Sequence, residues 1–326
     1  MNSSARSPHR IAIIGAGPAG ATVACLLAKA GKEVVMLDNG KRPELVVGES
    51  LVPLLVNVFR RMGIEDEVAK LGVYKPGVTW VIDDGDALEL AFEAMRGVLP
   101  TYAYNVPRRE FDDLVHETAL KAGVRHVPCE VKLETRMLDS GEVVPVLSDE
   151  TLKLIPEWNG QQPDLLIDAS GRRRLFAKLL NLEASLGPRK DVSHFAHFEG
   201  CEMPKPAGQT VITRLKHGWS WRIPLPGRLS VGVVLNKEDA KSYGSTPEEQ
   251  LNGVIDANPV LAKACSQRKR VSTLATYANY QLISHRGCGA NWVAVGDAYG
   301  FVDPMLSPGL CMAMTSAEKL ADTILE

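Results

Sequence analysis

The run Gly15-Ala16-Gly17-Pro18-Ala19-Gly20 constrains this chain more than any other feature. Before it stands an isoleucine-rich segment, Arg10 to Ile14, that reads as a short buried strand. After it comes an apolar helix from Pro18 to Ala30, with Pro18 in the first turn, where a missing N–H is harmless. Gly31 stops that helix, and Lys32 to Leu37 form a second strand ending at Asp38. Each residue of the turn has a physical role. Gly15 permits the tight turn, Gly17 lets a pyrophosphate approach the backbone, and Gly20 lets helix and strand pack closely. The N–H groups around Ala19 at the helix start meet phosphate charge, and Asp38 can accept hydrogen bonds from a ribose diol. A glycine turn alone would fit any α/β protein. Strand, helix and acidic second strand together predict a dinucleotide-binding unit.

The rest of the composition narrows the class. A chain of 326 residues, 45% hydrophobic and 23% charged, can bury more than one core. A net charge of −2 gives no long-range field for nucleic acid or an anionic membrane, so neither is expected as a partner. The six cysteines include no CxxC pair, which suits reduced thiols and offers no metal site. Met1 to Arg10 are polar, and no run is long and apolar enough for a signal peptide or membrane span. A cytoplasmic location is the expectation.

Three further landmarks choose between nucleotides. Ala290 to Ala298 reads as a buried strand closing on Gly296-Asp297, Asp164 to Gly171 as another ending at Asp168, and Val106 to Asp112 as a helix start carrying Arg108. With the first turn they resemble, in order, the motifs of glutathione-reductase-like flavoproteins. That resemblance implies FAD, with Asp297 at the ribityl chain and Arg108 touching the cofactor. It also implies an α/β fold: a Rossmann-like FAD-binding domain of the glutathione-reductase type with an interleaved β-rich substrate domain. The FAD domain would take residues 1–82, 104–185 and 281–326, and the substrate domain 83–103 and 186–280. A β-meander is expected from Val131 to Met137, Val143 to Leu147 and Leu152 to Trp158. The β-rich part is expected to hold strands at Phe195–Phe198, Thr210–Leu215, Ser220–Ile223 and Leu229–Leu235, with a helix over Thr246–Ala257. No second GxGxxG follows a strand, so electrons would come from transient NAD(P)H or from a flavin reductase partner.

Within the flavoproteins, four stretches resemble the flavin-dependent halogenases, members of the geranylgeranyl-reductase-like and PHBH-like FAD enzymes. Gly48-Glu49-Ser50-Leu51-Val52-Pro53 matches their GES…P signature, and also reads as a helix start with Ser50 as N-cap and Glu49 against the dipole. Trp219-Ser220-Trp221-Arg222-Ile223-Pro224 matches WxWxIP, and on a strand both indoles share one face. In the family these rings keep organic substrate from a flavin hydroperoxide, which then oxidises halide. Phe301 to Gly309 fits FxxPxxSxG, placing Phe301, Pro304, Ser307 and Gly309 near the isoalloxazine and the halide. Tyr74 to Trp80 resembles the lysine-bearing stretch of the phenol and pyrrole halogenases, which makes Lys75 the catalytic candidate. A lysine there would orient the electrophilic halogen as an ammonium or carry it as an amine.

Two residues depart from the pattern. Leu306 stands where tryptophan-specific enzymes carry a glutamate, so a phenol- or pyrrole-type aromatic substrate is expected. Pro308 stands where a backbone N–H would face the halide, and proline has none. The sequence also stops at Glu326, where family members commonly continue, so it reads as a shortened chain or a minimal member. Two other functions stay open: a monooxygenase or geranylgeranyl-reductase-like enzyme without halogenation, and a non-catalytic flavin-binding protein. His194 and His197 would face opposite sides of a strand and read as structural, and Arg172 to Arg174 as a solvated or cofactor-adjacent turn.

Overall fold

A computed structural model describes residues 8–83, 86–278 and 281–326. The polar start Met1 to Ser7 therefore lies outside the described residues, as does residue 280, the last of the expected substrate domain. Strand β1 (Arg10–Ile14) and helix α1 (Pro18–Lys29) lead into β2 (Glu33–Asp38), all three with buried apolar cores. Beside them run β7 (Arg125–Pro128), β10 (Leu165–Asp168), β20 (Trp292–Ala294) and the two-residue β19 (Cys288–Gly289). They form a six-stranded sheet in the order β19-β20-β10-β1-β2-β7, parallel except for the β19–β20 pair. Helices α2 (Leu54–Met62), α3 (Glu65–Leu71), α4 (Arg108–Lys121) and α9 (Pro308–Leu325) gather around α1 and fill one core with it.

The second layer is an eight-stranded sheet. Its members are β4 (Gly77–Asp83), β5 (Asp86–Ala91), β12 (Asp191–Glu199), β13 (Thr210–Leu215), β14 (Gly218–Leu225), β15 (Arg228–Asn236), β16 (Lys269–Arg270) and β17 (Ala275–Ala278). One face packs on α7 (Pro247–Ala257) and α8 (Pro259–Ala264), burying Val231, Val233 and Leu235 against Leu251 and Ile255. The other face carries Phe195, Ile212, Trp219 and Trp221. Helix α7 begins with the reciprocal capping box of Thr246 and Glu249. The short β3 (Val73–Lys75) pairs with β6 (Ala103–Asn105), β8 (Leu133–Met137) with β9 (Val143–Leu147), and β11 (Ala184–Leu186), β18 (Leu282–Ser284) and β21 (Gly300–Phe301) make a small third sheet. Two short helices, α5 (Asp149–Leu152) and α6 (Leu175–Leu179), flank β10 in the chain.

Three expectations need correction. Leu152–Trp158 is not a strand: α5 ends at Leu152 and a single tight turn covers Pro156–Trp158. Its buried residues, Leu152, Ile155 and Trp158, recur every three positions, a helical spacing that an eye for strands misses. Ser50 is not a helix N-cap. Pro53 disfavours helical backbone at Val52, so α2 begins only at Leu54, and Ser50 instead bridges to Asn105. Finally, Gly77–Asp83 is an inner strand of the large sheet, paired with β13, so the chain enters that layer before the boundary expected at residue 82.

Candidate active site

Two cavities meet between the layers. The first, about 320 Å³, is walled by Gly15, Gly17, Asp38, Arg42 and Arg109. The second, about 360 Å³, runs past Gly48, Glu49, Arg108 and Asp297 to Trp219 and Trp221. Both are lined by Gly17, Pro43, Val46, Ala169 and Gly171, so they form one cleft that narrows at the GxGxxG turn.

Local sequence builds the first half. A Cβ on Gly15 would stand 2.3 Å from the Ala169 carbonyl oxygen, and one on Gly20 2.0 Å from the Gly15 carbonyl oxygen. Nothing lies within 4 Å of the Cβ position at Gly17, the side left for a ligand. Helix α1 starts there without a side-chain cap or an acidic first turn, so its positive end is uncompensated. Asp38 accepts from the Gly40 N–H at 2.7 Å and lines the cleft at the end of β2. Asp168 turns the chain after β10, accepting from the N–H groups of Ser170 (3.0 Å) and Phe176 (2.8 Å), and burial pushes its carboxyl pKa up.

Sheet register builds the second half. Opposed residues of antiparallel strands share a face, and three rows cross β12, β15 and β14 in this way. Ser193, Val234 and Trp219 form the first, Phe195, Gly232 and Trp221 the second, and His197, Ser230 and Ile223 the third. The two indoles stand 5.7 Å apart between centroids. Gly232 makes room for the second: a Cβ there would meet the Trp221 ring at 2.2 Å. Trp221 Nε1 donates to Ser230 Oγ at 3.2 Å. Trp219 Nε1 and Ser193 Oγ are buried on the cavity wall without a partner among the described residues. Across from them stand Phe301, Pro304, Ser307 and Gly309, with Arg172 stacked over Tyr277 at 5.5 Å. Burial raises the Asp297 carboxyl pKa, and Arg172 and Arg108 oppose the rise.

Most of the residues singled out from the sequence therefore converge: Gly15, Gly17, Ala19, Asp38, Glu49, Ser50, Arg108 and Asp297, with the two tryptophans and the loop 301–309. Gly20 and Gly296 stand behind the wall; Gly296 has a positive φ of 62° and packs against Ala19 and Ala313. Lys75 lies on neither wall. It is 2% exposed on β3, donates from Nζ to the Leu51 carbonyl oxygen at 2.7 Å, and sits 5.2 Å from the Phe92 ring centroid. Burial lowers its pKa to about 7. A solvated loop lysine it is not. His194 faces α7, bonded to Gln250, while His197 faces Glu49, so the expected split across the strand holds. Sequence reasoning did not connect His197 to Glu49, and no local signal could: 148 residues separate them.

The cleft fits FAD on structural grounds. It has an open helix N-terminus at its waist, an acidic strand end on one side, and on the other an apolar wall with unpartnered buried polar atoms.

The sequence profile described as tryptophan halogenase matches residues 10–82 and 91–325. A tryptophan 2-halogenase of Chondromyces crocatus is 29% identical over 319 residues, 95% of this chain and 60% of its own length. A flavin-dependent halogenase of Armillaria mellea is 30% identical over 340 residues, 97% of this chain and 64% of its own. This chain thus spans less than two thirds of either. Among solved structures, the myxobacterial chondrochloren halogenase, an FAD-dependent halogenase, superposes with a TM-score of 0.82 at 25% identity, over 97% of this chain and 74% of that one.

Proposed function

Because this chain belongs to the tryptophan halogenase family of flavin-dependent enzymes, we propose that it uses FAD to oxidise halide and passes the halogen through Lys75 to a phenol- or pyrrole-type aromatic ring. The observation that carries this reading is the environment of Lys75: a buried amine, pKa about 7, bonded to the loop whose previous two residues line the cleft. Near neutral pH it has both forms available. The ammonium can orient a hypohalous acid by hydrogen bonding. The free amine can take the halogen from it, releasing water and leaving an N–halogen bond.

When bound and reduced, FAD supplies the oxygen-activating redox chemistry. This chain's residues would hold it in place. The α1 N-terminus and Gly17 would take the pyrophosphate, Asp38 the adenosine ribose, and Asp297 with Arg108 the flavin half. Trp219 and Trp221 would exclude the organic substrate from the flavin side, and Ser307 with Gly309 would border the halide. A flavin reductase or NAD(P)H would deliver the electrons, since the chain has one dinucleotide turn. Among the described residues no helix is long and apolar enough to cross a membrane.

The test is product analysis with FAD, a flavin reductase, NADH, oxygen, and chloride or bromide, over a panel of phenols and pyrroles. A halogen mass shift is expected, reduced about 100-fold or more in Lys75→Ala with FAD still bound. FAD-bound protein that halogenates no activated ring would sink the proposal. Pro308 favours a second reading. It is the first residue of α9 and offers no N–H to a halide. A monooxygenase or reductase would give hydroxylated or reduced product regardless of halide, and a non-catalytic flavin carrier would give neither.

A further inference from the structure

Glu49 lines the flavin half of the cleft, and the groups behind it decide what it can bind. Its backbone is pinned. The Val106 N–H donates to the Glu49 carbonyl oxygen at 2.7 Å, and the Leu51 N–H to the Tyr104 carbonyl oxygen at 2.9 Å. The residue is 2% exposed. His197 Nε2 is 2.6 Å from Glu49 Oε1, and Arg228 Nε donates to His197 Nδ1 at 3.1 Å. A guanidinium has donors only, so His197 Nδ1 accepts. The neutral ring then carries its proton on Nε2, where it is given to Glu49. Arg228 thereby sets the tautomer of His197, and His197 sets the direction of the carboxylate.

Ser50 follows the same logic. Asn105 Nδ2 donates to the Gly208 carbonyl oxygen at 2.9 Å, which leaves its Oδ1 for Thr210. The Thr210 hydroxyl proton goes to that Oδ1 at 3.0 Å. Ser50 Oγ, 2.8 Å from Thr210 Oγ1, must donate in their bond, so only its lone pairs remain. Glu49 and Ser50 thus show the cavity acceptors and no donor.

An acceptor-only edge on the flavin's wall calls for a donor of the flavin. The oxidised isoalloxazine has one N–H, the imide of its pyrimidine ring. We propose that Glu49, held by His197 and Arg228, accepts this imide N–H, and that its charge makes the bound flavin harder to reduce. The second effect is Coulombic: reduction adds negative charge to the ring, and a carboxylate in a buried wall opposes it. Glu49 touches the cofactor. His197 and Arg228 line neither cavity and are positioning residues. The inference rests on FAD binding and not on halogen transfer.

Its readouts are affinity, potential and tautomer. Apo protein is titrated with FAD and with FAD methylated at the imide nitrogen. FAD is expected to bind at least about tenfold tighter, and Glu49→Ala to remove most of that preference. Glu49→Gln keeps an acceptor but no charge, so part of the preference should remain while the flavin reduction potential moves positive. His197→Phe is expected to remove most of the preference, and His197→Gln, which supplies an amide N–H in place of the ring N–H, to restore much of it. Arg228→Gln should weaken it less, and nitrogen NMR of the apo protein should show His197 passing from one tautomer to a mixture. ADP affinity, which does not involve the flavin, and melting temperature serve as controls for all variants. A wild-type ratio near one, or a ratio that survives Glu49→Ala, assigns the edge to the ribityl hydroxyls and overturns the proposal. A potential that stays or falls in Glu49→Gln overturns the electrostatic half. The expected ratios and shifts without any halogenated product would leave this edge standing and reject only the function above.

Discussion

The two ends of the cleft are built by different means. At the adenosine end the binding surface is largely backbone: a turn and a helix start within residues 10–38, shaped by Gly15 and Gly20, at which a Cβ would collide with backbone, and by Gly17, which leaves the ligand side open. At the tryptophan end the surface is side chain, and its members are far apart in sequence. Glu49 meets His197 across 148 residues, and the indoles depend on a glycine of the adjacent strand for space. A backbone site is specified by residues that permit a conformation. A side-chain site is specified by register, because a slip of one residue would turn every member of a row to the opposite face.

The comparison can be broken first at the adenosine end. Gly20→Ala puts a methyl 2.0 Å from the Gly15 carbonyl oxygen and 3.2 Å from Ala169 Cβ, so α1 must leave β1. About 3 kcal/mol of stability is expected to be lost, with ADP and FAD affinity falling by about 100-fold or more. Chemical denaturation and nucleotide titration measure both. Gly232→Ala is the counterpart at the other end, since its methyl would displace the Trp221 ring. It should cost about 1–3 kcal/mol and weaken FAD binding about tenfold while ADP binding stays unchanged. Equal damage to ADP binding in the two variants would erase the distinction between the ends.

Lys75 sharpens the comparison through pH. Its folded pKa, about 7, lies below the ordinary 10.5, so between these values the unfolded state binds the proton and the folded state does not. Stability from this group therefore rises with pH across the window, by up to about 1.4 kcal/mol per pH unit. Below the folded pKa both states are protonated and the contribution is flat at its least favourable level. Lys75→Met should remove the slope and stabilise the protein most below about pH 7, with the gain shrinking as pH rises toward 10.5, as denaturation at several pH values would show. The smallest effect belongs to neither end. Thr246→Ala removes the α7 cap on the far side of the large sheet, and should cost about 1 kcal/mol with both binding constants unchanged.

Legibility in the sequence followed the same division. The strand, turn, helix and acidic strand end of residues 10–38 were readable because each signal is local and the glycines have steric reasons. The large-sheet strands at 191–199, 210–215, 218–225 and 228–236 were also readable from their apolar runs. Misreadings arose where two periodicities compete or one residue has two uses. Leu152, Ile155 and Trp158 fill a core from short helical turns, and Ser50 bonds Thr210, whose own proton goes to Asn105, rather than capping α2.

The sequence by itself determined the nucleotide turn, the shared face of Trp219 and Trp221, and the opposite faces of His194 and His197, since these follow from backbone sterics and the two-residue period of a strand. Only the tertiary structure decided that Lys75 is buried off the cleft, that Glu49 meets His197, which Arg228 backs, and that Ser50 bonds Thr210, whose proton goes to Asn105. Burial, tautomer and proton direction are properties of neighbours, and a chain acquires its neighbours only when distant strands have paired in register.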